Sequence, residues 1–192
     1  MRKVVLSMFM SLDGFIEGPD GEFVPPPWSD DMQEKWSGAG MSAAGLLVYG
    51  RKNYEFNSAF WTAMEANAEA PAEEREFAAL MNGLPKLVLS HTLASVGWNG
   101  RLAGPDLAAE FAELKRQDGG DIVVLGGAGV ANSLIALDLI EEYRILLVPI
   151  LLGDGKRLFD GGHRRRPLEL VSCVTADTGA AILTYRPSAA SA

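Results

Sequence analysis

Ten residues constrain this chain more than any others. Asp121-Ile122-Val123-Val124-Leu125-Gly126-Gly127-Ala128-Gly129-Val130 is an apolar run that ends in three glycines within four residues. Ile122 to Leu125 is short and rich in β-branched side chains, which suits a strand buried on both faces. Gly126, Gly127 and Gly129 lack Cβ atoms, so the backbone there can take φ > 0 and approach a ligand closely. The stretch from Val130 to Leu137 reads as a helix that offers its first free N–H groups and positive dipole end to an anion. The segment is therefore a strand running into an anion cradle, with a nucleotide diphosphate as its natural guest. A plain tight turn is the alternative. Gly126, Ala128 and Ala131 do not make the G-x-G-x-x-G order, and the segment lies two thirds of the way along the chain. A dinucleotide site here belongs to a fold other than the Rossmann fold.

Composition narrows the partners. The 192 residues fit one domain, taken as 1–187 with 188–192 as a loose tail. A net charge of −8 argues against nucleic acid, which needs a basic face to displace counterions. The one basic cluster, His163-Arg164-Arg165-Arg166, reads as a solvated loop. The single cysteine, Cys173, excludes an intrachain disulfide and a thiolate metal cluster, and its apolar neighbours predict a buried thiol in a reducing cytoplasm. Arg2 and Lys3 before Val4-Val5-Leu6 imitate a signal peptide, but the apolar stretch stops at Asp13-Gly14, so a first strand is expected. No apolar run approaches the length of a membrane span.

Strand and helix patterns alternate. Lys3 to Met10, Leu46 to Tyr49, Lys86 to Ser90 and Asp121 to Leu125 read as strands. Helices are expected after Ser29, an N-cap followed by Asp30 and Asp31; from Pro71 to Gly83; from Asp106 to Arg116; and from Val130 to Glu142. Tyr143 to Leu152, Leu168 to Ala176 and Ala180 to Arg186 complete the chain as strands. This order predicts an α/β fold, a mostly parallel sheet flanked by helices with antiparallel strands added at one side.

Covalent chemistry finds little support: there is no Gly-x-Ser-x-Gly elbow, and two histidines leave little for a triad or a metal. Hydride transfer needs neither, because a cofactor carries the reactive atom. Gly50-Arg51-Lys52-Asn53 directly follows a strand, and Arg51 can grip a phosphate with two hydrogen bonds while Lys52 adds a point charge. A capped surface turn is the alternative. Ser90-His91-Thr92 closes another strand with two hydroxyls and an imidazole. Three such strand ends would line one edge of the sheet, where open α/β sheets bind ligands.

In this order, Met10-Ser11-Leu12-Asp13-Gly14-Phe15-Ile16, Tyr49-Gly50-Arg51-Lys52-Asn53-Tyr54-Glu55, Val88-Leu89-Ser90, Val124 to Gly129 and Val148-Pro149-Ile150-Leu151-Leu152-Gly153-Asp154-Gly155 resemble the RibD C-terminal family, dihydrofolate-reductase-like domains related to the riboflavin-biosynthesis reductase. The resemblance implies an NADPH site: Gly126, Gly127, Ala128, Gly129 and Val130 on the pyrophosphate and Arg51 and Ser90 on the 2′-phosphate, with Gly50 and Lys52 also among the cofactor-binding residues. His91 would lie near the 2′-phosphate, Phe9 and Ile16 would border the nicotinamide, and Leu125 would lie beneath the cofactor. Asn53 stands where dihydrofolate reductases commonly have Thr, and its amide can still reach a phosphate. The resemblance implies a proton donor on the first helix a few residues past Trp28, at Glu34, as a buried carboxyl with a raised pKa, and a solvated carboxylate on this polar helix is the alternative. Trp28 and Asp31 then face the substrate, and Asp13 either touches the substrate or forms the turn with Gly14. The implied activity is hydride transfer from NADPH to a small C=O or C=N substrate in a cytoplasmic homodimer paired through the strand-rich C-terminal half around Val148 to Leu152, with no metal. A dihydrofolate or pterin reductase and an NADPH-binding sensor without turnover are the other readings. No deaminase zinc-ligand motif occurs in these residues.

Overall fold

The computed structural model describes residues 1–161 and 164–188. His163 of the basic cluster and the tail from 189 lie outside the described residues. In chain order the strands are Val4–Ser11 (β1), Phe15–Glu17 (β2), Ala44–Gly50 (β3), Lys86–Leu89 (β4), Gly100–Leu102 (β5), Asp121–Val124 (β6), Glu142–Val148 (β7), Lys156–Arg157 (β8), Leu168–Thr175 (β9) and Ala181–Pro187 (β10). Eight of them form one sheet in the order β5-β4-β3-β6-β1-β7-β10-β9, and β2 pairs with β8 beside it. From β5 through β7 every pairing is parallel, and β10 runs antiparallel to both β7 and β9.

Alternation along the central strands explains the layers. Leu46 and Val48 of β3 turn to one face with Leu6, Ile122 and Val124, where they pack against Phe111, Leu114, Ala131 and Leu134. Those side chains come from Leu107–Arg116 (α5) and Ala128–Ala136 (α6). Leu47 and Tyr49 turn to the other face with Val88 and Val123, against Tyr54 and Met81. These belong to Arg51–Ala66 (α3) and Ala72–Gly83 (α4). Burial on both faces is why the strands read as unbroken apolar runs. The first helical segment, Asp30–Met32 (α1), passes through a π-helical turn at Gln33–Gly38 into Ala39–Met41 (α2), and lays Met32 and Trp36 on Leu146, Val148 and Ile182.

Local signals hold where they were strong. The Ser29 hydroxyl accepts from Met32 N at 3.1 Å and caps α1, and Asp106 accepts from Ala109 N at 3.0 Å and caps α5. The helix expected over Val130 to Glu142 instead spans Ala128–Ala136, because Gly127, at φ 54°, turns the chain into the helix two residues earlier. The strand expected to reach Leu152 stops at Val148, since Pro149 offers no N–H to continue a ladder. The sixteen-residue α3 was not foreseen. Cys173 is exposed, not buried as expected. It lies on β9, an edge strand whose eight residues are all exposed, so apolar neighbours in sequence do not give it a roof. Among the described residues no helix is long and apolar enough to cross a membrane.

Candidate active site

The carboxyl ends of β4, β3, β6 and β1 are consecutive along the sheet, so residues far apart in sequence meet on one edge. Helices α3 and α6 both begin there. Gly50 caps α3 and Gly127 caps α6, and a Cβ on Gly50 would lie 3.0 Å from Val130 Cγ2, so the two helix N-termini stand side by side. Each presents unpaired first-turn N–H groups and a positive dipole end, which together suit a pyrophosphate.

The three glycines of the cradle do different work. A Cβ on Gly126 would lie 2.5 Å from both Gly50 N and Tyr49 Cα, so this residue lets β6 close onto β3. Gly127 holds φ 54°, ψ 152°, a conformation nearly confined to glycine, with nothing within 4 Å of the position a Cβ would take. Gly129, in the first turn of α6, also faces open space. Ala128 and Val130 are buried and anchor the turn. Gly127 and Gly129 therefore form the open surface of the cradle, and Gly126 its foundation.

Around it, Arg51 is exposed on the first turn of α3 and pairs with Glu55 at 3.3 Å, one turn on. Exposed Lys52 adds positive charge at the same helix end. Asn53 is spent elsewhere than expected: its amide donates to Leu125 O at 3.1 Å and braces α3 against the end of β6. Ser90, past β4, accepts from the N–H groups of Thr92 at 3.2 Å and Leu93 at 3.1 Å, which fixes its loop, and its hydroxyl lies 3.4 Å from that of Thr92, where either can donate. His91 beside it is exposed.

At the end of β1 the chemistry becomes apolar. Phe9 stacks on Phe23 at 5.8 Å between centroids, meets Trp28 edge-on at 6.4 Å and leans on Trp36 at 5.2 Å. Ile16 lies on β2 next to this group and packs on the main core. Phe9, Phe15, Ile16, Phe23, Val148 and Ile150 enclose a cavity of only about 10 Å³. Trp36 is held by Arg144, whose guanidinium lies 4.3 Å from the ring centroid and donates to Trp36 O at 2.9 Å and Lys35 O at 2.5 Å. Those bonds tie the π-helical turn to β7. Sequence reasoning missed Phe23 and Arg144; neither a lone Phe in a Pro-rich loop nor an Arg inside a strand carries a local signal.

The carboxyl groups are not arranged as expected. Glu34 is exposed, because the π-helical turn gives its inward face to Met32 and Trp36, so it is not the buried acid anticipated. Asp31 is turned to Lys35, at 2.6 Å, and to Asp177 N, at 3.0 Å; the hydrogen bond from Lys35 first, then that backbone N–H, hold its pKa low. It is a bracket between helix and loop. Asp13 accepts from the Ser11 hydroxyl at 2.6 Å, Gly153 N at 2.8 Å and Leu152 N at 3.2 Å, and its pKa is lowered to about 2, the Ser11 bond being the largest cause. Between touching the substrate and shaping the turn, its bonds belong to the turn. Trp28 stands at the mouth, half exposed, with its indole N–H on Gln33 at 3.2 Å.

Known proteins share this architecture. A putative riboflavin biosynthesis protein from Shewanella sp. PV-4 superposes with a TM-score of 0.74 at 25% identity, over 98% of this chain and all of that one. The Acinetobacter baumannii RibD structure matches with a TM-score of 0.68 at 15% identity over 98% of this chain and 59% of its own length, a likeness of fold. In sequence the chain is 29% identical over 184 residues to the uncharacterized protein YyaP of Bacillus subtilis (strain 168), covering 96% of this chain and 94% of that protein. The uncharacterized protein YwjB of the same organism is 26% identical over 161 residues. The RibD C-terminal domain matches residues 2–182, nearly the whole chain, and with the three-layer sheet this shows that the protein belongs to the RibD C-terminal domain family, with its dihydrofolate-reductase-like fold.

Proposed function

We propose that this protein is an NADPH-dependent reductase that transfers a hydride to a small C=O or C=N substrate. The observation that carries the reading is the meeting of two helix N-termini at the open glycines Gly127 and Gly129, one strand away from an aromatic pocket at the end of β1. Membership of the RibD C-terminal domain family supports a reductase-like function related to riboflavin biosynthesis. Strand order supports a cofactor laid with its adenosine phosphate over β4 and β3 at Ser90 and Arg51, its pyrophosphate between α3 and α6, and its nicotinamide over β1 at Phe9 and Ile16. When bound, NADPH supplies the hydride. The chain supplies binding at the two helix ends, orientation against Phe9, and exclusion of water by Phe23 and Trp28. Asp13 and Asp31 are held ionised, and Glu34 is open to solvent, so a proton required by the product comes from water.

Titration of nicotinamide fluorescence tests the cofactor. NADPH should bind clearly tighter than NADH, and Arg51→Ala should cost roughly 1.5–3 kcal/mol, the worth of a charge-assisted hydrogen bond, which is about tenfold or more in affinity. Equal affinities, or a preference untouched in Arg51→Ala, overturn the assignment of Arg51. A dihydrofolate or pterin reductase would share this cofactor site, and a sensor would bind NADPH without turning over.

We also infer a homodimer built on β9. Among the described residues its outer edge has no partner strand, and Leu168, Leu170, Val171 and Val174 are exposed along it. An antiparallel strand pair is self-complementary under a two-fold axis, so a second copy offers this edge the partner it lacks. A cytoplasmic setting fits the exposed, unpaired Cys173.

A further inference from the structure

We propose that the substrate is a planar ring carrying a cationic C=N group, an iminium or protonated imine, and not a phosphorylated sugar conjugate; the proposal rests on the reductase reading above and names what that site reduces. The aromatic walls carry the argument. Phe23 lies on the face of Phe9 with 28° between their planes, and the cavity that remains, about 10 Å³, holds at most one water. Phe23 and Trp28 are nonetheless 48% and 50% exposed, so neither is locked into a core. A flat ring the size of Phe23 is thus already seated where a substrate would meet a nicotinamide over β1, and an aromatic ligand takes that place by displacing it. The face of Phe9 that Phe23 covers presents the negative side of its quadrupole, which attracts a cation and does nothing for an anion, and the neighbouring Trp36 ring already carries the Arg144 guanidinium on its face.

The polar surroundings agree. From Gly14 to Glu34 the chain carries six carboxylates, Glu17, Asp20, Glu22, Asp30, Asp31 and Glu34, and no Lys or Arg. The cations that reach these elements are already engaged. Lys35 holds Asp31 and Thr175 O, Arg144 holds two helix carbonyls, and Arg157 donates to Asp13 O while lying over the Phe15 ring. Lys156 stands opposite Glu17 in the β2–β8 register. A phosphate monoester would meet acidic charge here where it needs a cationic fork.

A cationic acceptor also removes the need for an acid. The iminium carbon takes a hydride from the reduced nicotinamide, and the C=N π electrons move onto nitrogen and cancel its charge. A neutral amine and oxidised cofactor remain, and no proton is consumed. This matches a mouth in which Asp13 and Asp31 are spent on structural bonds and Glu34 faces solvent.

The test uses the full chain and three probes: the N-methylated dihydroisoquinolinium cation, its neutral parent dihydroisoquinoline, and uridine monophosphate. Tryptophan fluorescence reads binding without cofactor. The cation should quench it and bind at least tenfold tighter than the nucleotide, with the neutral ring between them. Reversing exposed charges, Asp30→Lys with Glu34→Lys, should weaken the cation several-fold and leave the neutral ring unchanged. With NADPH added, reduction of the fixed cation should show a solvent isotope effect close to unity. Tighter binding of uridine monophosphate, or an effect of the charge reversal on both rings alike, overturns the proposal. NADPH binding without quenching by the cation removes this substrate class and leaves the reductase reading standing. Quenching without NADPH binding removes the hydride step, and the reductase reading with it.

Discussion

Two glycines three residues apart should fail in opposite ways when each is replaced by alanine. At Gly126 the new methyl would lie 2.5 Å from Tyr49 Cα and Gly50 N, about an ångström inside ordinary contact. Both are backbone atoms of β3, so no side chain can swing away, and relief requires β6 and β3 to part. Overpacking of this kind costs about 1–3 kcal/mol. At about 2–4 °C per kcal/mol for a chain of this size, the melting temperature should fall by roughly 2–12 °C. Gly129 differs: nothing lies within 4 Å of its missing Cβ, and its φ is not left-handed. Alanine there gains roughly 0.5–1 kcal/mol of helix propensity, so the melting temperature should hold or rise. Its methyl would stand among the first-turn N–H groups of α6, and NADPH affinity should drop about tenfold or more, the loss of one charge-assisted contact. Thermal melts and nicotinamide fluorescence titrations on both variants decide the matter. A Gly126→Ala protein that melts like wild type refutes the packing argument, and a Gly129→Ala protein that binds NADPH normally refutes the cradle. Gly127→Val is the less clean block, because φ 54° strains any side chain and mixes folding with binding.

Other expectations follow from the carboxylates and the sheet edge. Asp13 has its pKa lowered to about 2, so its stabilising bonds are intact above the unfolded value of about 3.9 and are lost as pH falls through the folded one. Asp13→Asn should therefore melt below wild type at neutral pH, with the gap closing as the pH is taken down from about 4 towards 2; a gap that stays constant in acid would contradict the bonding described. Glu34→Gln should leave the single-turnover rate and its pH profile unchanged, since an exposed carboxylate contributes no private proton; a variant whose rate drops while NADPH affinity holds would restore Glu34 as the acid. Light scattering at micromolar concentration should give twice 20.6 kDa, and Val171→Lys on β9 should give a monomer; a monomeric wild type ends the dimer.

The sequence was legible where one force acted alone. Ile122, Val123 and Val124 announce a strand because burial on both faces asks for nothing else. Asp106 announces α5 because a capping carboxylate, an inward Phe111 and Leu114 and a basic last turn agree. Helix α3 was hidden because of its sixteen residues Tyr54 alone is fully buried, while Phe56 and Phe60 face solvent and blur the apolar period. The turn from β6 through its glycines into a helix was legible, but the different packing of each glycine was not, because whether a glycine faces open space or a neighbouring strand depends on β3, some 75 residues away. The same holds for Asn53, whose partner is Leu125 O, and for Glu34, whose exposure follows from a π-helical turn that no periodicity announces.

The insertion of β6 between β3 and β1 has a consequence for how the molecule comes into being. Strand β1 leaves a ribosome first, yet its two neighbours, β6 and β7, lie more than a hundred residues later. Until about residue 124 has emerged, β3 and β4 can zip to each other while β1 waits with both edges bare. Joining the halves closes the longest loops in the chain and comes late on the path. A nascent fragment ending before Asp121 should accordingly expose an apolar strand and recruit chaperones, and the nucleotide groove should be the last part of the molecule to exist.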